Sequence, residues 1–282
     1  MAGMTIFCLP YAGGSAQRVY AGWQARLEAA GQVVPVELPG RGTRIAEPLL
    51  PSVDALVQDA LGAVLPRLGG RGYAMFGHSL GALIVFELAR RLEHLHEQPP
   101  SRLFVSGHPA PHLPPNSGDA LDLPLPQFRE RLAGLAGTPE EILASDELLE
   151  LFAPLIQADL HAAGTYRFRP GPALSCPVTV YGGADDPEAP PETLPGWARH
   201  TSARCEVRVL PGGHFFLHHE RDVLLPQIAA DLRAHWPAGQ AAPGLARIPS
   251  PTAQAPSGKA ETPPRQAQAR QGKGHIRSGK AP

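Results

Sequence analysis

Tyr73-Ala74-Met75-Phe76-Gly77-His78-Ser79-Leu80-Gly81-Ala82 decides the fold. Residues suited to a buried strand run into a G-x-S-x-G pentapeptide, and a stretch rich in Ala, Leu and Arg continues from Ala82 to Leu92 as a helix. Strand, tight turn and helix in direct succession is the context in which this pentapeptide carries chemistry. Small residues at Gly77 and Gly81 let strand and helix approach closely. The turn between them holds Ser79 in a strained conformation, with its hydroxyl at the top of the sheet and at the positive end of a helix.

Further strands flank this unit. Met4–Leu9, Val33–Leu38, Leu103–Ser106, Val178–Tyr181 and Val207–Leu210 read as short buried strands, with Pro35 marking an irregular or edge position. Helices are expected over Val19–Ala29, after a cap at Ser52, and over Val223–Trp236. The second of these has Val53, Leu56, Val57, Ala60, Leu61, Val64 and Leu65 on one apolar face. Alternating strands and helices imply an α/β fold, with a mostly parallel central sheet and helices on both faces. About 70 residues separate the strands near Ser106 and Val178, far more than a plain crossover needs. Thr138-Pro139-Glu140-Glu141 and Ser145-Asp146-Glu147 start helices there, the second carrying Leu148, Leu149, Phe152 and Leu155 and a bend at Pro154. The segment 108–177 therefore reads as a helical lid inserted over the carboxyl edge of the sheet, where function usually sits. No internal repeat is present.

A serine hydroxyl becomes a nucleophile only when a base takes its proton. A carboxylate and then a histidine should follow Ser79 in the chain, at carboxyl ends of later strands. Tyr181-Gly182-Gly183-Ala184-Asp185-Asp186-Pro187 and Gly212-Gly213-His214-Phe215-Phe216 occupy those places. Asp186, fixed by Pro187, is the favoured acid and Asp185 the alternative; His214 is the base. Charge developing on a carbonyl oxygen needs donors, and the backbone N–H groups of Leu80 and Ala12 are the candidates. The loop Tyr11-Ala12-Gly13-Gly14 lacks G-x-G-x-x-G and any Walker lysine, so it is a poor phosphate cradle. His214 and His218 have a metal-like spacing without an H-E-x-x-H pattern, so no metal is expected, and His218 and His219 read as a solvated helix start. No clear ligand set surrounds His94, His96, His108, His112 or His161.

Composition bounds the rest. The chain has 282 residues, 43% of them hydrophobic, enough for a sizeable core, but no apolar run long enough to span a bilayer. Nothing basic precedes an apolar run at Met1-Ala2-Gly3-Met4-Thr5, which speaks against a secretory signal. Cys8, Cys176 and Cys205 form neither a disulfide framework nor a zinc site, so a reduced, cytoplasmic protein is expected. The formal charge of −1 hides +6 on residues 238–282 against −7 on residues 1–237. All three lysines lie in that basic, proline-rich tail, which is expected to be disordered and without a nucleic-acid role. The working domain organisation is 1–237 and the tail.

Several stretches resemble the α/β-hydrolase thioesterases of polyketide and nonribosomal peptide assembly lines, in particular the stand-alone, type II editing enzymes. They are Leu9-Pro10-Tyr11-Ala12-Gly13-Gly14-Ser15-Ala16, Glu37-Leu38-Pro39-Gly40-Arg41-Gly42-Thr43-Arg44, Gly77–Gly81, Ser106-Gly107-His108-Pro109-Ala110-Pro111 and Pro211–Phe216, and the likeness spans nearly all of 4–236. The resemblance implies an α/β-hydrolase fold. It further implies hydrolysis of acyl groups from the phosphopantetheine arm of acyl or peptidyl carrier proteins, clearing stalled or misprimed modules. It supports Ser79, His214 and an aspartate before Pro187 as triad, with Ala12 and Leu80 as oxyanion donors. No metal or redox cofactor, membrane or nucleic acid is implied, and a monomer is the working expectation. Two other readings stay open: a small-ester carboxylesterase of the same fold, and a non-catalytic scaffold that binds carrier proteins. The doubled Asp185-Asp186 and the tail depart from the family pattern.

Overall fold

A computed structural model describes residues 4–68, 72–114, 123–135 and 140–235. The basic tail, Thr138-Pro139 and Trp236 lie outside the described residues. In chain order the elements are β1 (Met4–Leu9), α1 (Ala16–Val19), α2 (Trp23–Leu27), β2 (Gly31–Pro35), α3 (Val53–Val64), β3 (Tyr73–His78), α4 (Leu80–His96) and β4 (Arg102–Ser106). Then come α5 (Leu125–Leu135), α6 (Glu140–Ala144), α7 (Asp146–Thr165), β5 (Val178–Gly183), β6 (Cys205–Leu210), α8 (Phe216–His219) and α9 (Arg221–His235).

Six strands form one parallel sheet in the order β2-β1-β3-β4-β5-β6. Because side chains alternate along a strand, each strand feeds two cores. Phe7, Leu9, Met75, Leu103, Val105, Val178 and Val180 pack with α3 and α4 on one face. Ile6, Cys8, Phe76, Phe104 and Tyr181 pack with α2, α8 and α9 on the other. The parallel arrangement puts every strand's carboxyl end at one rim, where the loops after β1, β3, β5 and β6 meet. The insertion between β4 and β5 has a third core of its own, Phe128, Leu132, Leu149 and Ala153.

Two local expectations change. The helix expected over Val19–Ala29 is instead two short helices, broken at Gly22, whose φ of +81° is left-handed backbone. The second strand starts earlier than the apolar run suggests, because Gly31 pairs with Met4 and a Cβ at Gly31 would lie 2.3 Å from the Met4 carbonyl oxygen. Pro35 does sit on an edge strand. The helix beginning at Asp146 runs through Pro154 to Thr165, with the Ser145 side chain accepting from the Leu148 N–H at 3.2 Å. A 3₁₀ segment at Pro191–His200 was not evident in the sequence. It buries Leu194 and Trp197 beside β5.

One buried ion pair joins the insertion to the rim. Asp159 of α7 and Arg41, in the loop after β2, are 1% and 2% exposed. Arg41 holds both carboxylate oxygens, through Nη1 to Oδ2 and through Nη2 to Oδ1 at 2.9 Å, and also donates to the Pro39 carbonyl. The Gly13 N–H donates to Asp159 Oδ2 at 2.7 Å, so α7 is pinned to the loop after β1. Removing one partner leaves the other charge buried and unpaired, at a cost of about 3–5 kcal/mol. Asp159→Asn should therefore lower Tm by roughly 6–20 °C, whereas Arg41→Met/Asp159→Leu should recover most of the loss. Thermal unfolding of the three proteins checks this, and an unchanged Tm for Asp159→Asn would contradict a clamping role.

Candidate active site

The site is built around the turn between β3 and α4. Ser79 has φ 55° and ψ −119°, one of two non-glycine residues with positive φ among the described residues. Strand, turn and helix are in such close contact that a Cβ at Gly77 would lie 2.1 Å from the Gly81 carbonyl oxygen, and one at Gly81 would lie 2.3 Å from that of Leu9. The Ser79 N–H donates to the Ser106 carbonyl at 2.8 Å, fixing the turn from the neighbouring strand. Its hydroxyl then points across the rim.

His214 meets that hydroxyl from the loop after β6. Its Nε2 lies 3.0 Å from Ser79 Oγ, and its Nδ1 lies 2.9 Å from Asp186 Oδ2 and 3.1 Å from Oδ1. A carboxylate only accepts, so Nδ1 carries the proton and the Nε2 lone pair faces the serine. Asp186 is itself held: its Oδ1 accepts from the N–H groups of Glu188 at 2.9 Å and Ala189 at 3.2 Å. Asp185 is exposed, and its backbone N–H goes to the Gly212 carbonyl at 3.0 Å. Of the two adjacent acids, then, Asp186 faces His214.

The loop after β1 lies beside this trio and is tied down residue by residue. Gly14 N–H donates to the Tyr11 carbonyl at 3.0 Å, Ser15 Oγ to Glu37 at 2.8 Å and Ala16 N–H to Glu37 at 2.9 Å, while Gly13 N–H is taken by Asp159. Among the described residues, no acceptor takes the N–H of Ala12 or of Leu80. Two unspent amides thus flank the serine turn, one immediately after Ser79 and one in the glycine loop.

Three further histidines crowd the site, and sequence reasoning assigned none of them a place in it. His78 is fully buried, with its ring 5.1 Å from that of His214 and Nδ1 2.9 Å from Ser106 Oγ. Burial, then the neighbouring imidazoles, hold its pKa well below the usual histidine range. Burial also lowers His108 and His218, each to about 4. His218 is half-buried rather than solvated: its ring nitrogens meet Tyr11 Oη at 3.1 Å and Arg221 Nη2 at 3.2 Å. The spacing of His214 and His218 therefore serves two separate hydrogen-bond sets. His112 and His200 bond to each other, Nδ1 to Nε2 at 2.8 Å.

A cleft of about 400 Å³ opens beside the glycine loop. Ile142, Phe152, Leu155 and Ile156 of the insertion form one wall and Tyr11–Gly14 the other. Of the insertion residues singled out in the sequence, Phe152 and Leu155 line this cleft, Leu149 belongs to the insertion's own core, and Leu148 is 38% exposed. No cluster that could hold a metal occurs among the described residues.

Known proteins resemble this chain over most of its length. Thioesterase PikA5 of Streptomyces venezuelae is 39% identical over 249 residues, covering 88% of this chain and 86% of that protein. A Brevibacillus parabrevis protein named linear gramicidin dehydrogenase LgrE is 38% identical over 234 residues, covering 82% and 88%. The structure of the type II thioesterase BorB from the borrelidin biosynthetic cluster superimposes with a TM-score of 0.74, with 38% identity over 82% of this chain and 93% of that one. Residues 4–235 match the thioesterase-domain family. With its six-stranded parallel sheet and the serine turn at its rim, the chain has the α/β-hydrolase fold and belongs to the thioesterase family of hydrolases.

Proposed function

We propose that this thioesterase is a stand-alone editing enzyme of polyketide or nonribosomal peptide assembly. It hydrolyses acyl groups from the phosphopantetheine arm of acyl or peptidyl carrier proteins, releasing stalled or misprimed modules. The observation that carries the reading is the continuous hydrogen-bonded line from Asp186 through His214 to Ser79, beside two amides with nothing to bind. Relatives named for linear gramicidin and for the borrelidin biosynthetic cluster support the substrate class. The LgrE relative's name speaks of a dehydrogenase, but this chain has no G-x-G-x-x-G after β1. We assign it to the cytoplasm, in keeping with three free cysteines and with no helix among the described residues long and apolar enough to cross a membrane.

In this reading Ser79 Oγ attacks the thioester carbonyl carbon while His214 Nε2 takes its proton. Asp186 keeps the imidazole in the required tautomer and stabilises the imidazolium. Ala12 and Leu80 N–H groups receive the oxyanion, each contributing about 10²–10³ in rate. The tetrahedral intermediate collapses, the C–S bond breaks, and the imidazolium proton goes to the departing sulfur. A thiol has a pKa near 8.5, so it leaves with less protonation than an amine requires. Water, deprotonated by His214, then attacks the acyl-serine and releases the free acid. The insertion acts as a lid, and the cleft it walls takes the acyl chain. His78, His108 and His218 stay uncharged at neutral pH, so His78 and His108 set no cation against the imidazolium that forms on His214.

Comparing turnover of an acyl-carrier protein with that of a p-nitrophenyl ester tests the substrate. The wild type should favour the carrier, and Ser79→Ala should lose about 10³-fold or more on both. Ester turnover without carrier turnover would support the carboxylesterase reading, and retained activity in Ser79→Ala would remove Ser79 as nucleophile.

The acid is tested separately: Asp186→Asn should cost about 10³–10⁴-fold in kcat, and Asp185→Asn little. A larger loss from Asp185→Asn would reverse the assignment.

The depressed histidines also set a pH dependence. Between pH 6.5 and about 4 the unfolded chain binds protons at His108 and His218 that the folded chain does not. The stability they contribute is therefore present above pH 6.5 and is lost as pH falls towards 4. Tm should drop through that window, with His108→Gln flattening the slope; a Tm unchanged from pH 7 to 4.5 would contradict it.

A further inference from the structure

Among the described residues, no acceptor takes the Tyr11 hydroxyl proton. The Tyr11 ring is wedged edge-on against Phe215, His78 and His218, at centroid separations of 4.8, 5.9 and 5.7 Å. Its Oη meets His218 Nε2 at 3.1 Å. The direction of that hydrogen bond follows from the far side of the imidazole. Arg221 Nη2 lies 3.2 Å from His218 Nδ1, and a guanidinium can only donate. Nδ1 must therefore be the accepting nitrogen, so neutral His218 carries its proton on Nε2 and donates it to Tyr11 Oη. Doubly protonated His218 would set an N–H against an N–H and a cation against a cation. With its oxygen occupied as an acceptor, Tyr11 turns its own proton elsewhere, and no acceptor for it exists among the described residues.

Both Tyr11 and His218 line the cleft. The other polar side chains there are committed or solvated. Ser15 donates to Glu37, Arg41 is bound to Asp159, and Arg18 stands exposed at the rim. The remaining lining is aliphatic or aromatic. Tyr11 directly precedes Ala12, whose N–H is the proposed oxyanion donor, and both residues line the cleft.

We propose that Tyr11, oriented by the Arg221–His218 pair, is a specificity-determining donor that recognises an oxygen on the acyl chain, a keto group above all. The proposal rests on the thioesterase reading given above and names the acyl class that site prefers. An apolar cleft with one fixed donor binds a hydrocarbon chain wherever it fits. It discriminates in favour of a chain that places a carbonyl oxygen where the donor points, because a saturated chain leaves the buried hydroxyl proton unpaired.

The test compares hexanoyl, 3-oxohexanoyl and 5-oxohexanoyl thioesters of N-acetylcysteamine with wild type, Tyr11→Phe and His218→Ala. The readout is the ratio of kcat/KM for each oxo chain to that for hexanoyl, within one protein, which cancels any loss common to all substrates. For at least one oxo position, Tyr11→Phe should lower this ratio about fivefold to tenfold, the size of one neutral hydrogen bond. His218→Ala should lower the same ratio by less, because the hydroxyl remains but is free to rotate. Ratios unchanged by Tyr11→Phe at both positions, in an enzyme that turns over all three thioesters, would overturn the assignment alone. A wild type that hydrolyses none of the three would remove the thioesterase reading with it.

Discussion

The site depends on a steric constraint: three backbones must converge within van der Waals distance at the Ser79 turn. A serine at φ 55° is strained, at a cost of order 1–3 kcal/mol, and persists only where its surroundings over-determine it. Here they do. Gly77 and Gly81 leave no room for a side chain between β3, α4 and the end of β1, and Ser106 takes the turn's N–H. The same convergence brings Leu80 N–H and the Tyr11–Gly14 loop to one side of the serine. A strand order with β1 and β4 on either side of β3 is what makes this possible. Fold and site are in this sense one arrangement: the elements that close the turn also carry the two amides proposed as donors.

Much of this was legible because the chemistry follows local rules. Alternating apolar strands, a glycine-flanked serine and loops at carboxyl strand ends carry their signals within a few residues. Ser79, His214 and Asp186 lie in such places, and the parallel sheet converts their sequence positions into one rim. What escaped reading depends on distant pairings. Asp159 and Arg41 are 118 positions apart, and Tyr11 and His218 are 207 apart. No periodicity records such pairs. A clue existed for Asp159, an acid at helical spacing from Leu155, Ile156 and Ala162 and so on their apolar face of α7. A carboxylate there demands a cation, and Arg41 stood in a stretch quoted for its resemblance but left without a role. The break at Gly22 escaped for a different reason: glycine permits both helix and left-handed backbone, and packing makes the choice.

The insertion between β4 and β5 reads differently once these contacts are known. Its α5 and α6 share a small apolar core with α7, but α7 is also bound to the sheet's rim. Asp159 takes the Gly13 N–H and Arg41, and Ile156 lies so close to Gly13 that a Cβ there would meet it at 2.6 Å. Helix α7 is therefore structurally part of the oxyanion loop's support. The lining it presents, Phe152 and Leu155, is fixed relative to Ala12, which suits a surface that measures an acyl chain from its reacting end.

Charge around the site follows the same economy. Arg41 and Asp159 neutralise each other, Arg221 meets a neutral imidazole, and burial keeps His78, His108 and His218 without charge. The Asp186 carboxyl is buried and meets His214 at Nδ1, on the edge of the ring away from the serine hydroxyl. In the proposed reaction the charges that develop are an imidazolium, already provided with a carboxylate, and an oxyanion. The oxyanion meets amide dipoles in a poorly solvated setting, where fixed donors act far more strongly than they would in water. Had His78 or His108 been charged, its cation would have opposed the imidazolium that forms on His214.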